Sequence, residues 1–246
     1  RYLAVFCSLL FMACVNKSEK KEVTKEVENT NGNVTLMTLD PGHFHAALVQ
    51  KSMYDQVNST VYVYGPKGPD VADHLTRIEG FNTREINPTQ WVEKIYIGDD
   101  YFQKMIADKP GNVMVVSGKN NKKIDYVNAA IDADIHVYAD KPLVINPEGF
   151  LALEEAFKRA QSKELLIYDV MTERFEITTI LQRELSMISE VFGTLIDGTP
   201  ENPAITKESV HHFSKNVAGK PLIRPAWFFD TEQRGQGLTD VSTHLV

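Results

Sequence analysis

The segment Asn112-Val113-Met114-Val115-Val116-Ser117 constrains this chain most. Its centre is apolar without a break, so neither face of such a strand suits water. That pattern belongs to a strand buried on both sides, within a parallel sheet covered by helices. Similar short runs recur at 34–39, 60–64, 135–138 and 165–170. Between them lie stretches with helical spacing. Residues 43–54 place Phe44, Ala47, Leu48 and Lys51 at that period, and 71–78 and 124–131 follow suit. Residues 147–161 form a strongly amphipathic stretch with Pro147 in its first turn. Strands alternating with helices predict an α/β fold, a Rossmann-like doubly wound parallel sheet. Ligands of such sheets bind beyond the carboxyl ends of the strands. Asp40-Pro41-Gly42, Ser117-Gly118-Lys119-Asn120 and Asp140-Lys141-Pro142 fall at those ends and are expected to face one crevice. The space over Gly42 is expected to be open.

The pattern changes near residue 172. A helix is predicted over 176–189 and strands over 192–196 and 208–213, with Asp197-Gly198, Pro200 and Asn202-Pro203 marking turns. We read 34–171 as one domain and 172–246 as the start of a second, incomplete and C-terminally truncated; the family resemblance given below implies that the first binds a dinucleotide and that the second is an α+β substrate domain with an open-faced sheet.

Residues 2–13 are almost wholly apolar and end at Cys14. The run is too short to span a bilayer comfortably and reads as the core of a secretory signal. Leu10-Phe11-Met12-Ala13-Cys14 resembles a bacterial lipoprotein signal, with Cys14 as the lipidated residue. A buried N-terminal strand or helix is the competing reading. The polar run that follows, to residue 33, reads as a flexible tether. These features predict a signal peptide over 1–13, a tether over 14–33 and a lipid-anchored place in the cell envelope. Membrane contact is expected only through the anchor. Both cysteines lie in the signal, so the folded part is expected to hold no disulfide and no cysteine metal site. A formal net charge of −7 argues against a nucleic-acid partner.

Two further runs carry chemistry. Tyr138-Ala139-Asp140-Lys141-Pro142-Leu143 puts a lysine at a strand end, fixed by a proline. Gly235-Gln236-Gly237-Leu238-Thr239-Asp240-Val241-Ser242-Thr243-His244 puts an acid and an imidazole four apart, on one face if the segment is helical. Lys141, Asp240 and His244 meeting in one cleft can move a proton on and off a hydroxyl. His244 suits a general base because imidazole titrates near working pH. Trp227, behind Arg224 and Pro225, either lines a sugar site with its flat ring or simply packs. His43 and His45 open the first helix. Being two apart, they are expected to point to different sides: His43 toward cofactor or substrate, His45 into packing. No metal is expected.

The stretch 113–142 resembles the Gfo/Idh/MocA oxidoreductases, relatives of glucose–fructose oxidoreductase and inositol dehydrogenase. Their pattern is a strand, a Thr-Pro-Asn-x-x-His loop, a helix, a strand and Glu-Lys-Pro. Asn120 falls on the family asparagine, Lys123 on its histidine, and Asp140-Lys141-Pro142 on Glu-Lys-Pro. Residues 235–244 resemble the family's Gly-Gly-Gly-x-x-x-Asp-x-x-x-His segment, and Arg174 sits where an arginine often follows the sixth strand. The resemblance covers about 34–246. It implies NAD or NADP, held by Gly42, His43, Phe44, Ser117, Asn120, Asp140 and Lys141. It implies catalysis by Lys141, Asp240 and His244, and substrate contacts from Arg174, Trp227, Lys141 and His244. The implied partner is a small sugar-type molecule, with a homo-oligomer formed through the C-terminal sheet. The chain departs from the pattern at the first loop, where only Gly42 remains of three glycines. Tyr64-Gly65-Pro66 also brings no acid for a ribose hydroxyl, and Lys67 would suit a 2′-phosphate.

Three functions fit. The first is oxidation of a secondary alcohol of a sugar or cyclitol with a tightly held nicotinamide cofactor. The second is an NAD-dependent glycoside hydrolase running a redox-neutral cycle, which suits an exported enzyme that meets little free dinucleotide. The third is a non-catalytic sugar-binding envelope lipoprotein.

Overall fold

The buried apolar runs pair in parallel. In the computed structural model, which describes residues 32–206, 214–217 and 219–245, β1 (Leu36–Leu39) lies between β2 (Thr60–Gly65) and β4 (Val113–Val116). β3 (Val92–Ile97) borders β2, while β5 (His136–Ala139) and β6 (Ile167–Asp169) extend the sheet from β4. The order is β3-β2-β1-β4-β5-β6, all parallel, which makes this a Rossmann-like α/β fold. The sequence of strands reverses direction between β1 and β4, so a crevice opens beyond their carboxyl ends.

Side chains alternate across the strands and fill two cores. Met37, Leu39, Met114 and Val116 pack with Met105 of α3 (Tyr101–Asp108), Val127 and Ile131 of α4 (Lys123–Asp132), and Ala156 of α5 (Pro147–Ser162). Leu36, Val61 and Val115 face the other way, onto Ala47 of α1 (His45–Leu48) and Ile78 and Phe81 of α2 (Pro69–Asn82). Each of these side chains larger than alanine stabilises the fold by about 1.5–3 kcal/mol on burial. α5 begins where the sequence places it. Pro147 needs no amide partner in the first turn, and the Asn146 side chain accepts the Gly149 N–H at 2.8 Å.

Several expectations need correction. No element is predicted over 92–108, yet β3 and α3 stand there. β3 is an edge strand carrying Glu93 and Lys94, so it lacks the continuous apolar run of its neighbours. The helix expected over 43–54 is the single turn α1. Beyond it Gln50 and Lys51 make only tight bonds to Ala47 and Leu48, and the Trp91 indole N–H donates to the Gln50 carbonyl at 2.6 Å. The helix expected over 176–189 is divided into α6 (Ile177–Ser186) and α7 (Ser189–Phe192), with three-residue turns at Met187 and Ile188 between them. The strand expected over 192–196 is absent. α7 occupies its start, and Leu195 and Ile196 are exposed with no ladder partner among the described residues. The strand expected over 208–213, the signal segment with Cys14, and the tether except its last two residues lie outside the described residues.

Past β6 the chain forms a small hairpin, β7 (Asn216–Val217) with β8 (Lys220–Pro221), and then α8 (Thr231–Arg234) and α9 (Gly237–Asp240). This last segment lies back over the carboxyl edge of the sheet, where Asn120 Nδ2 donates to the Arg234 carbonyl at 2.5 Å. No helix among the described residues is long and apolar enough to cross a membrane.

Candidate active site

The end of β1 is held tightly. Asp40 takes a left-handed φ of 45°, a conformation Asp tolerates better than most residues. Its buried carboxylate accepts from the hydroxyls of Tyr126 (3.3 Å) and Tyr101 (3.4 Å). Gly118 lies so near that a Cβ there would come within 2.3 Å of the Asp40 carbonyl, so only glycine lets the β1 and β4 loops meet. The His43 N–H then donates to the Ser117 carbonyl at 2.9 Å.

That bond curls the loop onto Asp140, at the end of β5. Asp140 is 3% exposed. Its Oδ2 accepts from Ser117 Oγ at 2.8 Å and stands 2.8 Å from His43 Nδ1, while Oδ1 stands 3.0 Å from His45 Nδ1. The two imidazoles therefore converge on one carboxylate instead of pointing to different sides. Their ring centroids are 4.3 Å apart, edge to face. The reason is that His43 sits in the turn before α1, where residues two apart are not bound to helical directions. Burial pushes His43 down to about 4 against the pull of Asp140, so its ring is neutral at neutral pH. Burial alone would raise the Asp140 carboxyl, but the adjoining imidazoles hold it well below the usual carboxylate range.

The next residue turns to the C-terminal segment. Lys141 Nζ donates to the Asp240 carbonyl at 2.7 Å and to its Oδ1 at 3.2 Å, with the two residues 8% and 6% exposed. Arg234 grips the other carboxylate oxygen through Nε (2.8 Å) and Nη2 (2.5 Å). Burial raises the Asp240 carboxyl, and Lys141 and Arg234 more than offset this, leaving it lowered. Behind the pair lies Lys123, 0% exposed, whose ammonium donates to the carbonyls of Asp140 (2.7 Å) and Pro142 (3.3 Å). It pins the loop that carries Lys141. Desolvation brings Lys123 down to about 8, partly offset by Asp140.

A crevice of about 300 Å³ opens beside these groups, lined by Gly42, His43, Phe44, Asp70, Ile223 and Arg224 among others. The space over Gly42 is not open as expected. A Cβ at Gly42 would meet the Trp227 indole at 3.0 Å and the Asp70 carboxylate at 3.1 Å. Trp227 Nε1 donates to Asp70 Oδ2 at 3.0 Å, which fixes the ring there. Beside it, the Arg234 and Arg224 guanidiniums lie 4.0 and 4.2 Å from the Phe228 ring centre.

The remaining predicted residues divide. Phe44 lines the crevice, and the Lys215 ammonium lies 5.3 Å from its ring centre. Asn120 is buried and reaches the C-terminal segment through Arg234. Arg174 is exposed, ion-paired to Asp169 at 2.9 Å and laid over the Tyr168 ring, so its charge is engaged at the end of β6. Asp240 and His244 do not share one α-helix. α9 ends at Asp240, and residues 242–245 form a 3-10 turn in which the His244 N–H bonds to the Val241 carbonyl. Three residues per turn places a four-residue spacing off one face. His244 is partly buried on that turn. Sequence reasoning missed Arg234, Asp70 and the supporting role of Lys123. An arginine ahead of the glycine-bounded segment was the available signal for the first.

Comparison with known proteins agrees with this architecture. A family model described as "Putative oxidoreductase C terminal domain" matches residues 181–246. The structure resembles that of a "putative oxidoreductase" from Parabacteroides merdae with a TM-score of 0.83 and 57% identity, covering 88% of this chain and 49% of that one. The chain thus spans about half the length of that relative. An NAD-binding protein from Listeria innocua shares the fold at 14% identity and a TM-score of 0.55, over 86% of this chain and 52% of that one. Biliverdin reductase from Synechocystis, solved with biliverdin and NADP+, does so at 16% identity and 0.52, over 84% and 54%. The last two likenesses concern the fold alone. No curated protein matches the chain.

Proposed function

We propose that this chain belongs to a NAD(P)-dependent oxidoreductase of the Gfo/Idh/MocA type that oxidises a secondary alcohol of a sugar or cyclitol. The observation that carries the reading is the Lys141–Asp240 pair. It joins the carboxyl end of β5 to a segment 99 residues away, beside the crevice of a dinucleotide-type sheet. The oxidoreductase descriptions of the family model over 181–246 and of the Parabacteroides relative support it.

The residues fit a dinucleotide under one condition. Gly42 offers the close backbone approach that a pyrophosphate needs at the end of β1. The Trp227 indole now lies on that surface, so binding requires it to swing aside. Bound nicotinamide would accept a hydride from the substrate carbon. Lys141 would donate a hydrogen bond to the substrate oxygen, and Asp240 would keep the ammonium aimed. His244 would take the hydroxyl proton.

The covered Gly42 favours a second reading, the non-catalytic sugar-binding lipoprotein. Thermal melts with NAD and with NADP, together with mass spectrometry of the denatured protein for co-purified dinucleotide, separate the two. The oxidoreductase reading expects a raised Tm with one nucleotide or a co-purified cofactor. No shift with either and no cofactor would leave the binder standing. The envelope location and lipid anchor at Cys14 belong to the same proposal, supported by the apolar run before that residue.

A further inference from the structure

The redox reading assigns His43 and Asp140 to the cofactor, but it does not account for both imidazoles, His43 and His45, turning onto the one Asp140 carboxylate. We propose that these three residues form a binding site for one first-row divalent transition metal ion. The ligand atoms would be Nδ1 of each imidazole and the Asp140 carboxylate. One atom from each residue lies within 4.8 Å of the others. Two imidazoles and one carboxylate on one side of an ion is a known arrangement for such metals, leaving other positions for water or a substrate oxygen.

The two imidazoles approach different carboxylate oxygens: His43 Nδ1 stands 2.8 Å from Oδ2, and His45 Nδ1 hydrogen-bonds Oδ1 at 3.0 Å, a bond that an ion would replace. His43 Nδ1 makes no aligned hydrogen bond to Oδ2 despite that approach, so its in-plane direction is aimed beside the oxygen rather than at it. An ion beside the carboxylate would meet that direction. Ser117 Oγ, donating to Oδ2 at 2.8 Å, is the outer partner that would orient the carboxylate.

The nearby cations do not occupy the position. The Lys141 ammonium is held by Asp240, and the Lys123 ammonium donates to the main-chain carbonyls of Asp140 and Pro142. Both imidazoles keep some exposure, 16% and 18% of their side chains, so an ion has a route in.

The test is titration of the full chain with Co(II) and Zn(II) by calorimetry and visible absorption, in a Cys7→Ser, Cys14→Ser background that removes the thiols. We expect one equivalent bound, with a cobalt spectrum and X-ray absorption showing imidazole and oxygen ligands and no sulfur. Outer-shell losses alone cost roughly 10–100-fold in metal affinity, so His43→Gln and His45→Gln should each weaken binding at least tenfold. His136→Gln, on β5 away from the cluster, should leave binding unchanged. The wild-type titration stands alone if a variant misfolds: no bound ion, or an absorption spectrum without two imidazoles, overturns the site. Binding that persists undiminished in both folded variants overturns it equally. Dinucleotide affinity plays no part in these readouts, so the site and the redox reading can fail separately.

Discussion

Trp227 and Asp70 hold each other over the only glycine left at the first loop, beside the crevice that this glycine lines. A hydrogen bond to a charged group contributes about 1.5–3 kcal/mol. A ligand that must displace the ring loses that much apparent affinity. On the proposed reading, Asp70→Ala should therefore tighten NAD or NADP binding by about 10–100-fold, read by calorimetry or by tryptophan fluorescence; weaker binding instead would mean that Asp70 itself touches the nucleotide. Lys141 calls for a different substitution. Lys141→Met keeps the stem and removes the ammonium, and general acid–base groups typically contribute about 10²–10⁴-fold. On the proposed redox reading, alcohol-dependent reduction of the nicotinamide should fall at least about 100-fold, while dinucleotide affinity stays within a few fold. Turnover that survives this change would move the chemistry off the Lys141–Asp240 pair.

At the scale of elements, α2 carries an acid-sensitive weakness. His74 is buried with both ring nitrogens unpartnered. Desolvation, and then the Arg77 charge, lower its pKa to about 4. The unfolded chain takes up a proton near pH 6.5, whereas the folded ring resists until about 4. The contribution is thus fully present above pH 6.5 and is lost as pH falls through that window, by on the order of 3 kcal/mol. His74→Leu should flatten the fall in Tm between pH 6.5 and 4; an unchanged acid limb would place the sensitivity elsewhere. The same scale shows what a sequence can disclose. β1 and β4 were legible because a strand covered on both faces must be apolar throughout. β3 was not, because Glu93 is accommodated by the Gln50 amide, which donates to it at 2.5 Å, while Lys94 is exposed. Lys141 and Asp240 were legible as residue types at strand and helix ends. The meeting of His43 with His45 was not, since it depends on a main-chain bond from His43 to Ser117, a residue of another strand's loop.

At the scale of the molecule, one surface remains unexplained by the sheet. Ile177, Leu181 and Leu185 recur every four residues along α6, and all three are exposed. Phe175, Val191, Phe192, Leu195 and Ile196 extend the exposed apolar surface on either side. Soluble monomers rarely present contiguous apolar patches larger than a few hundred Å², and larger ones mark contact surfaces. The family model begins at residue 181, within this helix, and the Parabacteroides relative is about twice as long as the matched chain. This exposed patch should bind an apolar dye such as ANS strongly and drive association with rising concentration. Leu181→Glu with Leu185→Glu should suppress both effects. Neither residue belongs to the two cores of the parallel sheet, so each change should alter stability by no more than about 0.5 kcal/mol. A double variant that loses the sheet's cooperative melt would show instead that α6 stabilises the sheet. Unchanged dye binding would place the sticky surface elsewhere.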